Sequence, residues 1–472
     1  MEDKNKKEVS RRDFFKVAGA GAVVTGATLA GCKPRNTVSA EGGSLGEAPT
    51  DKMTYRINHN TGDKVSLLGY GCMRWPLRQR ADGNGEEIDQ DAVNELVDYA
   101  IAHGVNYFDV APPYVRGWSE VATGIALKRH PRDKYFIATK LSTHREPGLR
   151  TFQGSRALYE KSFENLQTDY IDYYLLHAVG LSEIGFSEME TVLERFYNNG
   201  MVDFLVKERE KGRIRNLGWS FHGDINAFNY LLNQQDEGKV HWDFVMVQMN
   251  YIDWKHATGI NTNAEYLLGE LEKRNIPVII MEPLLGGRLS RLSSEALNIL
   301  KQIRPEDSAA SWAFRYAGTP KSILTVLSGM VYMEHLQENI RTYSPLDPMT
   351  EQEYEALEKV TEIMLNDDYV QCTECQYCMP CPYGIDIPTV FGHYNRTISA
   401  GKKLRSSNDE NYKKARRAFL VGYDRSVPKL RQASHCIGCD ICKPHCPQTI
   451  DIPNEMRRID LYAEQLRQRL NF

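Results

Sequence analysis

Asn106-Tyr107-Phe108-Asp109-Val110, Tyr135-Phe136-Ile137-Ala138-Thr139-Lys140 and Tyr170-Ile171-Asp172-Tyr173-Tyr174-Leu175-Leu176-His177 are three runs rich in aromatic, β-branched and aliphatic residues, each followed by a helical stretch. Such runs are strand signals, and strands that alternate with helices pair in parallel. The pattern extends outward to residues 66–71 on one side and to 214–220, 244–250, 277–283 and 323–328 on the other. Eight alternations within residues 53–345 predict an α/β fold, a (β/α)8 TIM barrel. Phe244-Val245-Met246-Val247 is continuously apolar, as a strand buried on both faces requires.

Such a barrel carries its chemistry at the C-terminal ends of its strands. The polar residues that interrupt the apolar runs there are Asp109, Lys140 and His177, ending the second, third and fourth strands, and Tyr114 in the loop after Asp109. Packing does not explain a lysine or a histidine ending a buried strand, so the four are candidate catalytic residues. With Trp118-Ser119-Glu120, Leu217-Gly218-Trp219-Ser220, Gln248, Glu282-Pro283-Leu284 and Glu338-Asn339, they make residues 53–344 resemble the aldo-keto reductase family. The resemblance implies an oxidoreductase that interconverts a carbonyl and an alcohol. An ammonium beside a phenol lowers its pKa from about 10. Lys140 is expected to be that ammonium, held by Asp109, so that Tyr114 exchanges a proton with the substrate oxygen while His177 orients and polarises it.

The same resemblance implies a nicotinamide held by Ser220, Gln248, Ser328, Glu338 and Asn339. Here Gly329 and His335 occupy what look like the lysine and arginine positions that take the 2′-phosphate of NADPH. Met281 stands where an aromatic ring would stack on the nicotinamide, and Phe221 where an asparagine would partner it. NADP, NAD and no nicotinamide at all stay open.

Eight of the ten cysteines lie in two runs: Cys372, Cys375, Cys378 and Cys381 before Pro382, then Cys436, Cys439, Cys442 and Cys446 before Pro447. Three closely spaced thiolates can wrap one [4Fe-4S] cluster while the fourth reaches the next. Sulfur-rich zinc sites and disulfides are the rival readings, and neither explains tight triplets closed by Cys-Pro. The runs resemble those of two-cluster ferredoxins. That resemblance implies Cys372, Cys375, Cys378 and Cys446 on one cluster, and Cys436, Cys439, Cys442 and Cys381 on the other. Helical patterns at 388–400 and 409–423 predict a mainly α-helical ferredoxin domain over residues 350–472, in which Ile-Asp-Ile-Pro recurs at 385–388 and 450–453. Thr350 and Glu353, at capping-box spacing, open a helix over 350–366 that is expected to brace one domain against the other. The leftover Cys72 reads as a buried thiol.

Residues 1–32 read as a leader. Ser10-Arg11-Arg12-Asp13-Phe14-Phe15-Lys16 before a small apolar run resembles a twin-arginine signal, and Leu29-Ala30-Gly31-Cys32 resembles a lipobox whose cysteine takes a lipid anchor. Residues 33–52 then form a tether. The expectation is export by the twin-arginine translocase to the periplasm or cell envelope. A formal charge of −4 over 472 residues offers no basic field for nucleic acid. Free nicotinamide nucleotides are not expected outside the cytoplasmic membrane, so the clusters are expected to relay electrons to or from a quinone or cytochrome. The alternatives are an electron-transfer protein whose barrel is a docking module and a cytoplasmic NAD(P)H-linked reductase.

Overall fold

The computed structural model describes residues 47–468 apart from 145, 184, 405, 407 and 410. Arg11, Arg12 and Cys32 lie outside the described residues. Each of the eight expected runs is a strand: β1 (Leu68–Gly71), β2 (Tyr107–Asp109), β3 (Phe136–Leu141), β4 (Ile171–Val179), β5 (Ile214–Phe221), β6 (Phe244–Gln248), β7 (Val278–Met281) and β8 (Ile323–Ser328). They pair in parallel in chain order and close when β8 meets β1, with Leu327 opposite Gly69. Tyr107, Tyr173, Leu175, Phe244, Met246 and Ile279 form one buried cluster, so the barrel encloses a packed core and no pore. Gly218 in β5 allows this closure, since a Cβ there would lie 2.2 Å from the Phe244 carbonyl oxygen.

At the N-terminal end of the strands, an antiparallel hairpin of Tyr55–Ile57 and Lys64–Ser66 reaches across the barrel. Its buried Asn58 donates to the Tyr173 hydroxyl at 3.2 Å and to Asn216 Oδ1 at 3.0 Å. Chemistry is thereby left to the opposite, C-terminal end.

Helices α1 (Ser294–Lys301) and α2 (Ala309–Gly318) belong to the outer layer, and α3 (Glu351–Asn366) follows the barrel. In α3 the buried positions Glu353, Ala356, Leu357, Val360, Thr361 and Met364 recur at helical spacing. They face Leu300 of α1 and Trp312, Ala313 and Tyr316 of α2 in one core. By packing, α3 therefore goes with the barrel, and the second core begins at Tyr369. The expected cap forms: the Glu353 carboxylate accepts from the Thr350 N–H at 2.7 Å and its hydroxyl at 3.1 Å.

Glu353 also pins α3 to α2 through Arg315, whose two terminal nitrogens donate to its oxygens at 2.8 and 3.0 Å. Burial alone would raise this carboxyl, but hydrogen bonds from Arg315, the Thr350 N–H and Arg304 outweigh it and hold the pKa at about 2, against an ordinary 4.5. A depressed folded-state pKa stabilises above the unfolded value and ceases to do so as pH falls through the folded one. Glu353→Gln is expected to lower stability by about 3 kcal/mol at neutral pH. Its difference from wild type should shrink as pH falls from 4.5 toward 2, which denaturant unfolding of both proteins across that range would check.

The C-terminal domain packs α4 (Ile387–Ser399), α5 (Tyr412–Ser426) and α6 (Ile452–Gln468) around Phe391, Tyr394, Phe419, Tyr423, Ile459 and Tyr462. The repeated Ile-Asp-Ile-Pro has a structural meaning. In both copies the second isoleucine opens a helix, α4 or α6, and the proline stands in the first turn, where its missing N–H leaves no partner unsatisfied.

Candidate active site

Asp109 and Lys140 are buried side by side at the ends of β2 and β3, 3% and 1% exposed, and form an ion pair. The Lys140 ammonium also donates to the Val110 carbonyl at 2.8 Å. Tyr114 opens a short turn, Tyr114–Gly117, in which Val115 and Arg116 hold φ of 48° and 57°. Positive φ at a β-branched residue is rare and disfavoured, so this turn is held by its surroundings. His177, in β4, is buried, with its Nδ1 2.5 Å from Ser142 Oγ. Buried Arg195 braces the same strand, donating to the His177 carbonyl at 2.5 Å and the Ala178 carbonyl at 3.2 Å.

The electrostatics differ from the sequence expectation in one respect. Burial and then the Asp109 carboxylate push the Tyr114 phenol well above its ordinary value, where Lys140 had been expected to lower it. The reason is geometric: the Lys140 ammonium stands 5.0 Å from the centre of the Tyr114 ring and is paired with Asp109. Tyr114 is thus a protonated phenol across the neutral range, a proton donor. Burial, followed by repulsion from His144, Lys140 and Arg195, drives His177 well below its usual value, so it stays neutral there.

Sequence reasoning missed a fifth residue. The Tyr377 hydroxyl, from the loop between Cys375 and Cys378, lies 3.1 Å from His177 Nε2 and also hydrogen-bonds Tyr114. One phenolic oxygen from the C-terminal domain therefore sits between the two groups expected to grip a substrate oxygen. An aromatic residue between two cysteines carries no sign of this in sequence. Beside it, His144, Ser182, Glu183, Arg195, Tyr377 and His445 line a small cavity of about 20 Å³ drawn from both domains.

Cys372, Cys375, Cys378 and Cys446 line a single small cavity, with Ile387, Phe391, Ile450 and Ile452 as its apolar wall. Cys442 lies against Cys436, Cys439 and Cys381. These are the two crossed sets that the two-cluster resemblance implies. Burial, then the neighbouring thiols, pushes Cys442 up to about 12, and burial is the largest cause of a similar rise at Cys375. None of the described cysteines is in a disulfide, and among the described residues no three ligands converge as around a single ion. Thiols spread around an apolar-walled cavity fit a cluster of several irons, which would draw them as thiolates. Cys446 Sγ is buried, whereas Cys439 is exposed between Ile437 and Ile441, themselves 63% and 45% exposed.

The two domains meet at the C-terminal mouth of the barrel. Arg74, just after β1, donates to the Thr373 and Glu374 carbonyls at 2.8 and 3.1 Å. Gln448 Nε2 donates to Gln248 Oε1 at 3.0 Å and to Glu282 Oε2 at 3.4 Å, and Asn261 donates to the Pro447 carbonyl at 2.9 Å. Burial, then the Asp253 carboxylate, pushes Glu282 up to about 8. Of the residues expected around a nicotinamide, Ser220 Oγ accepts from the Ala178 N–H at 2.9 Å, and Asn339 donates to Ser328 Oγ at 3.0 Å. Glu338 lies beside Asn339 on the helix Met333–Thr342. Cys72 is a fully buried thiol, as expected.

Residues 67–362 match the model of the aldo/keto reductase family, and residues 371–450 match that of the 4Fe-4S dicluster domain. The chain is 27% identical to L-galactose dehydrogenase of Arabidopsis thaliana over 66% of its own length and 95% of that protein. It is 32% identical to D-arabinose 1-dehydrogenase of Saccharomyces cerevisiae over 29% of its length and 38% of that protein. An aldo-keto reductase from Bacillus halodurans in its holo form superposes with a TM-score of 0.50 at 22% identity, covering 65% of this chain and 96% of that one. One from Klebsiella pneumoniae in complex with NADPH gives 0.50 at 21% identity, covering 66% and 96%.

Proposed function

We propose, since this chain belongs to the aldo/keto reductase family, that its barrel interconverts a carbonyl and an alcohol and that the electrons pass through two [4Fe-4S] clusters of the same chain. The contact that carries this reading is the Tyr377 hydroxyl on His177, because it sets the loop of Cys375 and Cys378 directly against the catalytic pocket. Bound clusters supply one-electron exchange. Reduction of a carbonyl takes up two electrons and two protons, and oxidation of the alcohol releases them. Tyr114, protonated at neutral pH, gives the oxygen its proton; the second proton, which forms the C–H bond, is taken up from solvent and is returned to it when the alcohol is oxidised. His177, held neutral, orients that oxygen, and the Lys140–Asp109 pair fixes the pocket beneath it. Tyr377 holds the oxygen's place and gives way when substrate enters.

Two relatives are named for L-galactose and D-arabinose. The polar side chains of His144, Ser182, Glu183, Arg195 and His445 line the cleft beside His177, and their hydrogen-bonding capacity supports a polyhydroxylated substrate that enters as Tyr377 gives way. The exposed Cys439 end supports exchange with a membrane quinone or a periplasmic cytochrome. Export through Arg11 and Arg12, with an anchor at Cys32, is part of the same reading.

The test is anaerobic. Oxidised protein mixed with L-galactose or D-arabinose is expected to show the EPR signals of reduced clusters, with two electrons gained per sugar oxidised. Dithionite-reduced protein should be reoxidised by glyceraldehyde. Clusters that respond to neither sugar and are not reoxidised by glyceraldehyde would sink the reading.

A further inference from the structure

The five side chains expected around a nicotinamide come from the ends of β5, β6 and β8 and the helix after β8, so the dinucleotide would have to run over the end of β7 and the loop behind it. That ground is held by the chain itself. Gln248, at the end of β6, has both ends of its amide engaged: Nε2 donates to Asp253 Oδ2 at 2.5 Å, and Oε1 accepts from Gln448 at 3.0 Å. In the loop after β7, Gly286 has φ +67°, and a Cβ there would lie 2.3 Å from the Thr373 Cα. The backbones of the two domains therefore touch, with no layer between them. Arg288, from the same loop, donates to Gln371 and lies over the Tyr369 ring. From the β1 side, Arg74 holds the Thr373 and Glu374 carbonyls. Residues 371–375 are thus clamped from two sides of the mouth, and residues 446–449 fill the space beside them, where a Cβ on Gly259 would meet the Thr449 side chain.

We infer that no nicotinamide dinucleotide reaches the reacting centre of this barrel, because the two cysteine loops of its own C-terminal domain occupy the place such a cofactor needs. The cavity of Cys372, Cys375, Cys378 and Cys446 lies within these loops, and Gln448 in its wall reaches Gln248 and Glu282 of the barrel. The exchange has its own logic. A dissociable dinucleotide must leave and be recharged after each turnover, whereas a partner built into the chain is recharged in place from its exposed end at Cys439. Gly329, His335, Met281 and Phe221 fit this arrangement, since a chain that binds no nicotinamide has no use for the basic, aromatic and amide groups that would otherwise stand there. The inference rests on the electron route given under Proposed function and adds that this route is exclusive.

The test uses the full chain, purified anaerobically, with its iron and sulfide content measured. NADPH and then NADH are titrated in while the nicotinamide fluorescence is followed. The expected result is no saturable change with either nucleotide, no nucleotide released by acid denaturation, and no reduction of the clusters by NADPH when reduced viologen does reduce them. Saturation at micromolar nucleotide, or release of nucleotide stoichiometric with the chain, overturns the inference. If nucleotide binds while a sugar still reduces the clusters, the electron route stands and only its exclusiveness falls. If neither nucleotide binds and no sugar or aldehyde changes the clusters, the inference stands and the electron route falls.

Discussion

Tyr114→Phe is expected to lower turnover by roughly 100-fold to 10,000-fold, the range for loss of a positioned general acid. Binding should change little, because the ring stays. The substitution removes the phenolic proton from a pocket in which His177 is held neutral by burial and by His144, Lys140 and Arg195, so His177 does not supply it in its place. Electron exchange between the clusters and reduced viologen should proceed at the wild-type rate, since Tyr114 ligates nothing. The pH profile of carbonyl reduction carries a second expectation. The phenol is raised, so its proton remains in place as pH increases through 9, and His177 is lowered, so it remains neutral down to pH 6. Between those limits neither residue should produce a limb in the rate. A Tyr114→Phe enzyme with unchanged turnover would move the proton donor elsewhere.

Lys140→Met is expected to destabilise the protein by about 3–5 kcal/mol, the usual consequence of removing one partner from a buried pair. The carboxylate left behind, Asp109, is 3% exposed. Burial already raises its pKa, with Lys140 opposing, so deleting the lysine raises it further. A folded-state pKa above the unfolded one disfavours the folded form as pH rises through that interval. The variant should therefore lose more stability at pH 8 than at pH 5, and its thermal unfolding midpoint should fall accordingly. Replacing Asp109 by Asn in the same chain should recover much of the loss, because a neutral amide leaves no buried charge. Equal destabilisation at both pH values, or no recovery in the double variant, would mean that the pair holds the strands by packing and not by charge.

The local chemistry of the sequence was sufficient for the barrel and for the three strand residues Asp109, Lys140 and His177 with Tyr114 in the loop beside them. Strand identity follows from short apolar runs, and a lysine, an aspartate or a histidine at the end of such a run stands out against them without any knowledge of contacts. The cysteine triplets were legible from their spacing, whereas the placing of Cys446 with the first triplet and of Cys381 with the second came from the resemblance to two-cluster ferredoxins and not from spacing. The helix at Glu351–Asn366 was legible from its cap and its period, yet its partners were not, and packing joins it to the barrel through Leu300, Trp312 and Tyr316. Lys140 was correctly paired with Asp109, but only the folded geometry put its ammonium over the ring of Tyr114 and left the phenol protonated.

What tertiary structure alone decided is the meeting of the two domains. Tyr377 reaches His177, and Gln448 reaches Gln248, each across 200 residues. A contact of that separation leaves no periodicity and no spacing in the chain, because its energy comes from surfaces that exist only once each domain has folded and docked. Sequence therefore determined which groups the protein carries, while docking determined that a phenol from the first cysteine run stands against His177 and Tyr114 and that the loop after the second run reaches Gln248 and Glu282.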